Sequence, residues 1–133
     1  MKRVVASIVL SVVLVSLLFA GVFKDKPTAV SNGSDITVSW ITLDESNVQR
    51  FDVLRRAGYS GDFLVIASVN PKGNNSSYHF VDQQAFKVAA GIYQYKIRVV
   101  NGELPPPESE IVTVSHLSST AKRTWGSIKA MFR

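Results

Sequence analysis

The stretch from residue 27 to residue 117 consists of short runs that alternate apolar and polar side chains, separated by turn-forming residues. Its clearest run places Tyr93, Tyr95, Ile97 and Val99 at every second position. Successive side chains of a β-strand point to opposite faces, so each run supplies one face for a core and one for water. The pattern predicts seven short strands, near residues 28–30, 36–41, 48–56, 63–69, 78–82, 93–99 and 111–114.

The connections between these runs also predict antiparallel sheets. They contain residues that preset turns or tolerate a positive φ, namely Asn32-Gly33, Gly58 to Gly61, Pro71 to Asn75 and Asn101-Gly102. The Pro105-Pro106-Pro107 run cannot donate ladder hydrogen bonds, so we expect it outside the sheets. Parallel strands need long crossovers, for which these spacings leave no room. The sequence therefore predicts an all-β, seven-stranded antiparallel sandwich.

Five sequence motifs follow one another along this stretch. They are Trp40, Phe51-x-Val53-x-Arg55, Phe63-x-x-Ile66-Ala67-x-Val69, Tyr78-x-Phe80-x-Asp82 and Gly91-x-Tyr93-x-Tyr95-x-Ile97-x-Val99-Val100-Asn101-Gly102. Together they resemble an immunoglobulin-like sandwich of the fibronectin type III family, in the version common in secreted bacterial proteins. The resemblance covers about residues 27–117. The first strand departs from it, because Thr28-Ala29-Val30 is short; two alternatives stay open for this edge, that it is frayed or that it pairs with another chain.

The resemblance assigns roles to particular residues. It implies that Trp40 packs in the core from the second strand, that Tyr93 makes a corner hydrogen bond at a crossing between the sheets, and that Ser109 precedes the last strand. With the alternating runs, it predicts a structural core that includes Trp40, Phe51, Val53, Tyr93, Tyr95 and Ile97.

The N-terminal segment predicts export. Lys2 and Arg3 precede a largely apolar, uncharged stretch from Val4 to Phe23. A positive start followed by an apolar region is typical of a secretory signal peptide, and Ala20 before Gly21 is the best cleavage site, giving a signal of residues 1–20. The stretch is also long enough to span a bilayer as an uncleaved anchor to about residue 23. Both alternatives place the domain in the cell envelope or outside the cell.

The C-terminal tail, residues 118–133, has the pattern of a short amphipathic helix. Leu117, Ala121, Trp125, Ile128 and Phe132 recur at steps of three or four, which is one face of an α-helix. Ser118, Ser119 or Thr120 can cap its start. The candidate binding residues of the tail are Lys122, Arg123, Trp125, Ile128, Lys129, Met131, Phe132 and Arg133.

Three interpretations of this tail stay open. The helix packs back on the sandwich or frays, or it binds an anionic membrane surface with basic residues at the headgroups and apolar residues in the interface. In the third interpretation it is a C-terminal sorting signal. Nucleic acid is a poor partner, because the net charge of +5 belongs to the chain ends: residues 27–117 carry seven Lys and Arg against nine Asp and Glu.

The inventory of reactive side chains argues against an enzyme. The chain contains no cysteine and no acidic cluster at ligand spacing, and of its two histidines His79 is expected to face solvent and His116 to lie at the end of the last strand. Asp44-Glu45 is interpreted as a solvated turn, and no serine lies in a Gly-x-Ser-x-Gly elbow. We therefore expect no catalytic residue, no metal and no cofactor. The expected function is an exported binding or structural module that contacts a protein partner, the alternatives being membrane attachment or sorting through the tail.

Overall fold

A computed structural model describes residues 21–84 and 90–117. It confirms an all-β antiparallel sandwich of seven strands, and no α-helix occurs in these two ranges. The strands are β1 (Thr28–Ser31), β2 (Ile36–Ile41), β3 (Arg50–Ala57), β4 (Leu64–Val69), β5 (Ser77–Asp82), β6 (Ala90–Val100) and β7 (Val112–Leu117). The predicted signal or anchor helix and the predicted C-terminal helix lie outside the described residues.

The strands form two sheets with different numbers of members. One has three strands in the order β1-β2-β5, and the other has four in the order β4-β3-β6-β7. Every pair is antiparallel. The connections 42–49, 70–76 and 101–111 therefore meet at one end of the sandwich, which we call the loop end.

β6 and β7 extend beyond the predicted strands because they pair with each other along the added residues. β6 starts at Ala90, which pairs with Leu117, and β7 consequently runs past Val114 to Leu117. β3 starts at Arg50, two residues later than predicted, since the amide of Val48 donates to the carbonyl of Glu45 within the preceding loop.

The core lies between the sheets and contains the inward side chains of both. All six predicted core residues, Trp40, Phe51, Val53, Tyr93, Tyr95 and Ile97, are buried there. Trp40 stacks on Tyr78 with ring centroids 5.0 Å apart and an interplanar angle of 4°. The Phe51 ring lies 5.1 Å from that of Tyr78 and 6.1 Å from that of Trp40. This aromatic cluster joins the two sheets, because Trp40 and Tyr78 belong to one and Phe51 to the other.

The outer faces of the two sheets differ in chemistry. The charged face, on the four-stranded sheet, carries Asp52 and Arg56 of β3 beside Lys96 and Arg98 of β6. The uncharged face, on the three-stranded sheet, presents side chains without an acid or a base other than one histidine. Its outward residues are Thr28, Val30, Thr37, Ser39, Ile41, Ser77, His79 and Val81.

Candidate functional site: the loop end, the inter-sheet ion pair and the β4 edge

The eight candidate binding residues of the tail, from Lys122 to Arg133, lie outside the described residues. Three other features of the described sandwich bring polar or apolar groups together. They are a buried carboxylate at the loop end, an ion pair between the sheets at the opposite end, and an apolar strand edge at β4.

Glu45 holds two loops together at the loop end. It is 6% exposed, so the interpretation of Asp44-Glu45 as a solvated turn is wrong for this residue. Its carboxylate accepts hydrogen bonds from the hydroxyls of Thr42 and Tyr78 and from the amide of Gly73, the last at 3.0 Å. Its own amide donates to Oδ1 of Asn74 at 2.7 Å. Glu45 thus joins the β2–β3 loop to the β4–β5 loop.

The hydrogen bonds around Glu45 also set its protonation state. Burial disfavours the charged carboxylate, but the hydrogen bonds from Thr42, Tyr78 and Gly73 outweigh burial and lower the pKa of Glu45. Burial raises the pKa of Tyr78 to about 12, and donation to the Glu45 carboxylate adds to the rise although the Lys72 amide donates to the phenol at 2.7 Å. Glu45 is therefore charged and Tyr78 neutral at physiological pH.

An ion pair connects the sheets at the opposite end. Nη1 of Arg55 on β3 lies 2.6 Å from Oδ2 of Asp82 on β5, and the Tyr95 hydroxyl donates to the same oxygen at 2.7 Å. Asp82 is 3% exposed. Burial and the neighbouring Asp82 carboxylate raise the pKa of Tyr95. Burial lowers the pKa of Arg55, but its bond to Asp82 outweighs that and leaves the pKa raised.

The corner hydrogen bond implied for Tyr93 concerns the same end of the sandwich. The chain connecting β5 to β6, where a partner for that hydroxyl is expected, includes residues 85–89, which lie outside the described residues. Within the described ranges, the tyrosine hydroxyl that bonds across the sheets here is that of Tyr95. Ser109 precedes the last strand, as the resemblance implies, and bonds to Ile97 through both its amide and its hydroxyl.

The two histidines differ in environment. His79 is exposed on the uncharged face, where its Nδ1 lies 2.9 Å from the Ser39 hydroxyl. His116 is fully buried, its Nδ1 lies 2.7 Å from the Ser31 hydroxyl, and its Nε2 has no partner among the described residues. The Ser31–His116 contact joins the end of β1 to the end of β7. No acidic side chain bonds to either histidine in the described ranges, so no catalytic triad is assembled there.

The β4 edge is an exposed apolar feature of the described surface. β4 is the outermost strand of its sheet and pairs with β3 alone. Leu64 is 66% exposed and Val65 is 51% exposed, and no residue from Leu64 to Val69 is charged, glycine or proline. The register with β3 shifts at Val53 and Leu54, which leaves Ile66 as an extra residue and forms a β-bulge. Sequence reasoning gave a strand that is apolar on both faces but did not show that one edge of it is open.

Most charged side chains of the charged face already bond to other residues of the sandwich. Arg50 and Ser68 bond to Asp52, and Lys96 and Arg98 both reach Glu108. The Phe63 ring lies 4.4 Å from the Arg56 guanidinium carbon and 4.4 Å from the Lys96 ammonium, a double cation–π contact.

No group of three or more histidine, aspartate and glutamate side chains is placed to hold a metal ion in residues 21–84 and 90–117. No helix within these residues is long and apolar enough to cross a membrane.

Comparison with known proteins gives no family for the chain. No family model, no curated protein and no solved structure matches it.

Proposed function

We propose that the chain is an exported, non-catalytic binding module that contacts a protein partner in the cell envelope or outside the cell. Export is argued from the basic start and apolar stretch of residues 2–23. The structural role of the buried polar groups supports the proposal that it is not an enzyme. Glu45, Asp82 and Arg55 all serve contacts that hold loops or sheets together.

We further propose that the sandwich is of the fibronectin type III kind. The strand order supports it: β4 pairs with β3 in the four-stranded sheet, leaving only β1, β2 and β5 in the other. In constant-type immunoglobulin domains the fourth strand instead belongs to the sheet of the first, second and fifth strands. The proposed assignment rests on this pairing and on the motif order of the sequence.

The β4 edge is the observation that carries the binding proposal. An edge strand offers unpaired backbone donors and acceptors, and soluble proteins usually protect such edges with charges, proline or a covering element. β4 carries neither charge nor proline over Leu64 to Val69, and Leu64 and Val65 expose apolar side chains beside the open backbone. The bulge at Ile66 protects the middle of the strand and leaves the Leu64–Val65 segment as the accessible part.

The partner proposed for this edge is a protein that contributes an extended segment. Such a segment would extend the four-stranded sheet by main-chain hydrogen bonds and place apolar side chains against Leu64 and Val65. An uncharged strand selects a partner segment that is itself uncharged at the facing positions, because a charge buried there would lose its hydration.

Site-specific photocrosslinking in the organism of origin tests this proposal. A photoreactive amino acid at Leu64 is expected to give a discrete protein adduct in the envelope or medium fraction. The same amino acid at Thr113, an exposed position of β7, is the control and is expected to give none. Val65→Lys should abolish the adduct at position 64. An adduct of equal yield at both positions, or at neither, would refute the β4 edge as the binding surface.

The tail supports a second candidate function. Its basic and apolar residues, spaced for one helix, favour a protein attached to an anionic membrane surface, or a C-terminal sorting signal. Binding of the full-length protein to anionic vesicles but not to neutral ones would favour membrane attachment. Loss of Arg133 from the mature protein would favour a processed sorting signal.

A further inference from the structure

The uncharged face exposes apolar side chains and carries no acidic or basic side chain other than His79. Its eight outward side chains include Val30 at 63%, Val81 at 44% and Ile41 at 40% exposure. Val30, Thr37 and Val81 lie side by side across all three strands, because Val30 pairs with Thr37 and Thr37 with Val81. The charged face, by contrast, is covered by ion pairs. We propose that the uncharged face is the docking surface for the chain's own C-terminal tail, residues 118–133.

The place where β7 ends supports this occupant. β7 ends at Leu117, and the preceding His116 contacts the Ser31 hydroxyl at the end of β1. The tail therefore leaves the sandwich beside the edge of the three-stranded sheet. Stacked sheets lie about 10 Å apart, and the three residues 118–120 span about 10 Å when extended. They are enough to bring Ala121, the first residue of the apolar stripe after Leu117, over the edge beside Val30.

The dimensions of the face fit one helix. Three strands about 4.8 Å apart, of which β2 and β5 have six residues each and β1 has four, give a face of at most roughly 14 by 20 Å. A helix over residues 121–133 would be about 20 Å long and about 10 Å wide. Its stripe of Trp125, Ile128 and Phe132 would lie on Val30, Thr37 and Val81, and its basic side chains would point to water.

The overall charge of the sandwich is compatible with the tail, and area argues against a second copy of the chain. Residues 27–117 carry seven basic and nine acidic side chains, whereas the tail carries four basic residues and no acid. A face of about 300 Å² is well below the roughly 800 Å² per partner that a stable dimer needs. A tethered segment avoids most of the entropy cost of association, so a small apolar face is sufficient for it.

Disulfide trapping in the full-length protein tests the proposal directly. The chain has no native cysteine, so introduced pairs report without interference. Thr37→Cys with Ile128→Cys is expected to form an intramolecular disulfide rapidly under mild oxidation. Val65→Cys with Ile128→Cys is the control for random encounter, because Val65 lies on the β4 edge away from this face. Equal rates for the two pairs, or a disulfide-linked dimer from the first pair, would overturn the proposal, the dimer in favour of a second copy.

A matched pair of substitutions provides a second test. Val30→Lys places a positive charge on the uncharged face, and Val65→Lys makes the same change at a similarly exposed position of the β4 edge. Val30→Lys should increase the rate of tryptic cleavage after Lys122 and Arg123 at least tenfold, and Val65→Lys should leave it unchanged. The same cleavage rate in the native protein, in Val30→Lys and in the free 118–133 peptide would overturn the proposal.

Discussion

Removing the Glu45 carboxylate is expected to destabilise the sandwich more than any other change of a single loop residue. The carboxylate is the acceptor for the Thr42 and Tyr78 hydroxyls and the Gly73 amide, and both hydroxyls belong to residues that are at most 1% exposed. A hydrogen bond to a charged group contributes about 1.5–3 kcal/mol, and a buried donor left without an acceptor costs about 1–3 kcal/mol. We expect a loss of about 2 kcal/mol for Glu45→Gln and about 4 kcal/mol for Glu45→Ala, a large part of the stability of a small domain.

The pH dependence gives this prediction a second signature. The folded-state pKa of Glu45 lies below its ordinary value near 4.5, so the stabilisation is complete above that pH. It is lost as the pH falls through the lower folded-state pKa, because the folded state must then take up a proton at a site that favours the charged form. The difference in unfolding free energy between the native protein and Glu45→Gln should therefore shrink toward acidic pH.

Urea unfolding of the full-length protein, followed by circular dichroism between pH 7 and pH 3, measures both effects. Asp44→Asn is the neighbouring control, because Asp44 is exposed and bonds only to Ser46 among the described residues. A Glu45→Gln variant as stable as the native protein at pH 7 would refute the reasoning. A loss that is the same at pH 7 and pH 3 would refute the assignment of the effect to the carboxylate charge.

Two further predictions concern the buried polar groups. Asp82→Ala should lower the free energy of unfolding in urea by about 3–5 kcal/mol, because it leaves the Arg55 guanidinium without its partner between the sheets. Glu108→Ala is the control: it removes a more exposed ion pair and should lower the free energy of unfolding by at most about 1 kcal/mol. Equal losses for the two variants would contradict this prediction. Tyr78→Phe should remove a phenol that ionises at about pH 12 in a spectrophotometric titration. Because this pKa is raised above the unfolded value of 10, the stabilisation by the neutral phenol is present below pH 10 and is lost as the pH rises to 12. A phenol of Tyr78 that titrates normally near pH 10 would contradict the burial of this hydroxyl.

The strand pattern could be read from the sequence because it depends on local alternation. β6 is the clearest example: Tyr93, Tyr95, Ile97 and Val99 occupy every second position, and all four are buried. The positive φ of Gly102 agrees with the turn predicted at Asn101-Gly102. Local alternation also separates inward from outward residues on β2, where Trp40 is buried.

The role of Glu45 could not be read in the same way. Its partners Gly73 and Tyr78 are 28 and 33 residues away in sequence, and they meet it only because antiparallel pairing brings the β2–β3 and β4–β5 loops to one end. An acidic pair in a polar loop is usually solvated, so composition gave the opposite expectation. A signal was present in Tyr78, since a buried tyrosine usually needs a hydrogen-bond partner.

The burial of Leu54 has a similar explanation. It is 1% exposed although it lies on the opposite face of β3 from Phe51 and Val53, outside the main core cluster. Its register partner on β6 is Lys96, whose ammonium lies 4.4 Å from the Phe63 ring. Long basic side chains can cover apolar groups with their aliphatic parts, which a hydrophobic pattern scores only as polar.

Hydrogen–deuterium exchange at β4 most directly tests the claim that the protein is a binding module whose partner pairs with this edge. The full-length protein would be compared alone and in the complex recovered from the envelope or medium of the organism of origin. The account predicts that binding slows exchange at the outward-pointing amides of β4, which have no strand partner in the free protein, and leaves the charged face unchanged. Unchanged exchange at residues 64–69 in a complex that protects the loop end instead would contradict it.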